Sequence, residues 1–64
     1  MTDQERLAAF ERVYAGLREE QGQVLAEMER LRAAGKVRGA AYRQLMAHRL
    51  TIQTLLDRFA ACGL

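Results

Sequence analysis

The stretch Leu31-Arg32-Ala33-Ala34-Gly35-Lys36-Val37-Arg38-Gly39-Ala40 decides how this chain folds. Gly35 follows a run of good helix formers, with the cations Arg30 and Arg32 in the preceding turn. Such a glycine, with positive charge before it, ends a helix. Connections of about two to eight residues join antiparallel helical neighbours, and Gly35–Gly39 is short enough to be one. The stretch therefore predicts a helix over about 3–34, a turn over 35–39 and a second helix over about 40–62. The expected fold class is all-α, an antiparallel helical hairpin forming a single domain over residues 1–64.

Upstream of the turn, Leu7, Phe10, Tyr14, Leu17, Gln21, Val24, Met28 and Leu31 step by three and four. This is an a/d pattern, the mark of a helix packed lengthwise on another helix. Gln21 is its single polar member. The helix has a start signal in Thr2-Asp3-Gln4-Glu5, where Thr2 and Glu5 can satisfy each other's backbone N–H groups as a capping box.

Downstream, Tyr42, Leu45, Met46, Leu50, Ile52, Leu55, Leu56 and Phe59 form a wider apolar stripe with Arg49 near its middle. Gly63 and Leu64 read as a Schellman ending in which Leu64 reaches Phe59. A chain ending on its own cap is expected to be complete. Folding the helices together across the turn pairs Leu31 with Tyr42, Met28 with Leu45, Leu17 with Leu56 and Tyr14 with Phe59. Val24 then approaches Arg49, and Gln21 approaches Ile52 and Gln53. Gln21, Arg49 and Gln53 are read as a polar layer that fixes register, since one polar a-position residue can set alignment at some cost in stability. Glu20 or Glu27 could neutralise Arg49, or its guanidinium could reach water.

Composition narrows the function. Sixty-four residues, half of them hydrophobic, make one small core. Below about 70–80 residues such a core needs a disulfide, a metal or a partner subunit. Cys62 is the only cysteine and His48 the only histidine, at unrelated spacing, so neither a disulfide nor a zinc site of about four ligands can form within the chain. Self-association remains. The helix 2 stripe is too wide for one neighbour, and Leu25 and Val13 widen helix 1 beyond its seam. Met46, Leu50, Leu25 and Val13 are therefore the expected interface of a homodimer, a four-helix bundle built more from helix 2 than from helix 1. The architecture is similar to plasmid-encoded RNA-binding regulators, whose helical hairpins dimerise into four-helix bundles. That likeness lies in length and heptads and assigns no residue a role.

Catalysis finds no support. The chain has no serine, and Cys62 lies in the last three residues. His48, at the stripe's edge, reads as a surface or interface histidine. Glu19-Glu20 and Glu27/Glu29 are too close in sequence to face each other on a helix. No catalytic residue, metal ligand or cofactor is expected.

Charge, by contrast, is unevenly spread. Residues 1–34 hold five Arg against seven acidic residues, and residues 35–64 hold five basic residues against Asp57 alone. Lys36, Arg38 and Arg43 gather at the hairpin tip, where helix 2 starts without a Ser, Thr, Asp or Asn cap. Free N–H groups beside cations can hold an anion, so these three residues are the candidate contact to RNA or DNA. No leader of basic start and apolar run is visible, and no apolar stretch reaches the roughly 20 residues of a membrane span. The expectation is a cytoplasmic interaction or assembly protein, a homodimer acting on another protein, with nucleic-acid binding as the alternative and no membrane partner.

Overall fold

A computed structural model describes residues 1–63 as two long helices, α1 over Asp3–Ala33 and α2 over Ala40–Ala61. They pack lengthwise against each other into a rod of 49 × 17 × 15 Å.

Local chemistry sets each end. The Thr2 hydroxyl accepts from the Glu5 N–H and the Glu5 carboxylate accepts from the Thr2 N–H, each at 3.1 Å. These bonds, the backbone one foremost, hold the Glu5 carboxyl below its ordinary value. At the other end of α1, Gly35 takes φ +73°, a left-handed conformation that side-chain-bearing residues adopt only under strain. Its N–H donates to the Arg32 carbonyl at 3.0 Å, and the Lys36 N–H donates to the Leu31 carbonyl at 2.8 Å. Together these form a complete Schellman motif. Gly39 caps α2 with its backbone alone, at φ −80° and ψ 164° with no side-chain bond. Gly63 repeats the positive φ, at 83°, after α2. The expected contact of Leu64 with Phe59 lies outside the described residues.

The core is one layer deep. Val24, Met28, Leu31, Ile52 and Leu56 are buried, Ile52 most fully. Tyr14, Leu17, Tyr42, Leu45 and Met46 pack around this cluster half-buried. The Tyr14 and Phe59 rings meet at 5.8 Å between centroids, tilted by 60°. Leu7 and Phe10, at seam positions, are nevertheless 46% and 48% exposed. The reason is length: α1 has 31 residues and α2 has 22. At about 1.5 Å per residue, the start of α1 runs past the end of α2, which leaves Leu7 without a partner among the described residues and Phe10 beside only the last turn of α2.

Candidate functional site

Bonds between the helices define two flanks of the hairpin. On one, Gln21 Nε2 donates to Gln53 Oε1 at 3.0 Å, and Gln53 Nε2 donates to Asp57 Oδ1 at 3.0 Å. On the same flank Arg32 Nη2 donates to the Tyr42 hydroxyl at 3.2 Å while its Nη1 pairs with Glu29 at 2.9 Å. These contacts, Tyr42 first, hold the Arg32 guanidinium above its ordinary range. On the opposite flank His48 Nε2 lies 2.7 Å from Glu20 Oε1. There Arg30 also pairs with Glu27 one turn away and lowers that carboxyl's pKa, chiefly through the hydrogen bond.

The apolar residues not used by the core divide between these flanks. At about 100° per residue, Leu25 lies within about 40° of both Gln21 and Arg32 around α1. Met46 stands equally near Tyr42 and Gln53 around α2. Leu25, Met46 and Leu50 therefore share the glutamine flank. Leu50 is 60% exposed and Leu25 is 42% exposed, while Met46 is half-buried against the core. Val13 stands near Glu20, about 120° around α1 from Leu25, and shares the histidine flank with Leu55. Of the four side chains read as an interface, three form one patch and Val13 does not join it.

The polar layer is likewise divided. Gln21 and Gln53 meet directly, whereas Arg49 is exposed and makes no hydrogen bond or ion pair among the described residues. Glu20 and Glu27, its prospective partners, are engaged by His48 and Arg30. Arg49 is exposed to water, and Gln53 bonds instead to Asp57 one turn further along α2. Sequence reading overlooked the Glu20–His48 pair because the a/d pattern gives no account of side chains outside the seam. The signal was a carboxylate and an imidazole, both at the edge of the stripe.

At the tip, Lys36, Arg38 and Arg43 are exposed and form no ion pair among the described residues. The first turn of α2 holds no acidic residue. At the open end a shallow cleft is lined by Phe10, Arg58, Phe59 and the exposed thiol Cys62. No group of three or more His, Cys, Asp or Glu among the described residues could hold a metal ion. No helix among them is long and apolar enough to cross a membrane. The chain matches no family model, no curated protein and no solved structure.

Proposed function

We propose that this chain is a small non-enzymatic interaction or assembly module that works as a homodimer, two hairpins joined into a four-helix bundle that offers its outer surface to another protein. The observation that carries this reading is the patch of Leu25, Met46 and Leu50 on one flank of a core only five residues strong. A two-helix chain gains little stability from one such layer. Burying a large apolar side chain fully is worth roughly 1.5–3 kcal/mol, so a second copy laid on this flank supplies what one hairpin lacks. The reading places the protein in the cytoplasm and gives His48 a structural part, linking the helices through Glu20.

Sedimentation equilibrium together with thermal melts at several concentrations tests it. The expected result is a dimer whose melting temperature rises with concentration. A monomer with a concentration-independent melting temperature refutes it.

The basic tip favours a second reading, a nucleic-acid-binding regulator. Its support is the set of Lys36, Arg38 and Arg43, unpaired among the described residues, beside a start of α2 that has no side-chain cap. Phosphate contact would give binding that weakens steeply with salt. Replacing all three by Gln would abolish it with helicity intact. An unmodified protein that binds neither RNA nor DNA at low salt removes this alternative.

A further inference from the structure

We propose that the two hairpins of the dimer lie antiparallel across the Leu25–Met46–Leu50 flank, so that the basic tip of each copy sits beside Glu11 and Asp57 at the open end of the other. The inference rests on the homodimer reading and adds to it the face and the orientation.

The rod is about three times longer than it is wide, measuring 49 × 17 × 15 Å, so two copies on one flank have two distinct orientations. Charge along the flank separates them. Glu11 lies within about 40° of Leu25 around α1, and Asp57 lies within about 20° of Leu50 around α2. Both are at the open end. The cations of that end stand elsewhere: Arg6 and Arg12 lie about 100° and 140° from Leu25, and Arg58 about 80° from Leu50. At the tip, Arg43 lies about 20° from Leu50, with Lys36 and Arg38 in the adjoining turn. Glu29 and Arg32 also face this flank there but pair with each other, so their charges nearly cancel. Arg18 is the one cation of the flank in the acidic half.

A parallel arrangement stacks Lys36, Arg38 and Arg43 on their own copies and sets Glu11 and Asp57 against theirs. An antiparallel arrangement, with the twofold axis crossing the flank near Leu50, opposes unlike ends at both extremities. Charges at the rim of an interface set orientation and register more than they set affinity, because like charges brought together penalise the wrong arrangement. The apolar patch is near the middle of α2 and is covered in either orientation. The ends therefore decide.

Cys62, the single cysteine, is an exposed natural label site. It lies twelve positions beyond Leu50, about 18 Å along α2, so spin labels there should be separated by about 36 Å along the rod in the antiparallel dimer. Ala40→Cys in a Cys62→Ala background places the label ten positions before Leu50 and should give about 30 Å. A parallel dimer has no axial offset, so each pair of labels is separated only across two packed hairpins, at most about 30 Å, a lateral distance that adds to the axial one in the antiparallel dimer. Double electron–electron resonance on both labelled proteins reads these distances, with sedimentation equilibrium on the same samples. Long distances at both sites are the expected result. A dimer with a short distance at either site overturns the orientation and leaves the homodimer reading standing. A dimer that persists unchanged in Leu50→Glu overturns the face. A monomer defeats the homodimer reading itself, and the orientation falls with it.

Discussion

Replacing Leu50 by Glu separates association from hairpin stability more cleanly than any other single change. Leu50 is 60% exposed in the hairpin, so its isobutyl group gives the core of one chain little. If a second copy covers the remainder, each Leu50 gains about 1–2 kcal/mol of apolar burial, scaled from roughly 1.5–3 kcal/mol for a whole side chain. A twofold interface uses the residue twice, so the dimer loses about 2–4 kcal/mol. At about 1.4 kcal/mol per tenfold, dissociation should become about 30- to 700-fold easier. Glutamate adds repulsion between two carboxylates near the axis and moves the effect toward the upper end. Sedimentation equilibrium should show a monomer at concentrations where the unmodified protein is dimeric. The thermal midpoint should fall and lose its dependence on concentration. Gln23→Glu, the same charge on an exposed position of α1 away from the patch, should change neither. A Leu50→Glu protein that sediments and melts as the unmodified one does would refute the reasoning.

Four further outcomes follow from the hairpin itself. Gly16→Ala should stabilise the protein by up to about 1 kcal/mol in urea denaturation, because Gly16 is inside α1 with no atom within 4 Å of an added methyl. Gly35→Ala should destabilise it by about 1–2 kcal/mol, since a side chain at φ +73° is strained whatever the space. Gln53→Ala should cost about 0.5–1.5 kcal/mol by stranding Gln21, while replacing both by Leu should be nearly neutral in stability and loosen the register seen by nuclear magnetic resonance. The Glu5 carboxyl titrates below its ordinary value of 4.5 when folded, so its contribution is present above that value and is lost as pH falls through the folded pKa. The melting temperature should decline on acidification below about pH 4.5, and Glu5→Gln should decline less from a lower starting point.

What the sequence determined by itself was everything local or periodic. The cap at Thr2 and Glu5, the stop at Gly35 and the three-and-four spacing from Leu7 to Leu31 act through neighbours within one turn, or through one repeated face. The two packed helices, the Tyr14–Phe59 ring contact and the meeting of Gln21 with Gln53 follow from that spacing and a short turn. Only the tertiary structure decided which flank each remaining side chain occupies. Val13 and Leu25 both widen the α1 stripe on paper. They fall on opposite sides of the hairpin because α2 covers the middle of that stripe and separates its edges. Arg49 sits within the α2 stripe yet is solvated, because a long side chain can carry its charge past a core one layer deep. The pairing of Glu20 with His48 depends on where two helix edges come together, which the periodicity of neither helix contains. Leu7 and Phe10 belong to the seam by spacing, but packing requires a partner at the same level, and α2 ends before it reaches Leu7 and borders Phe10 only with its last turn.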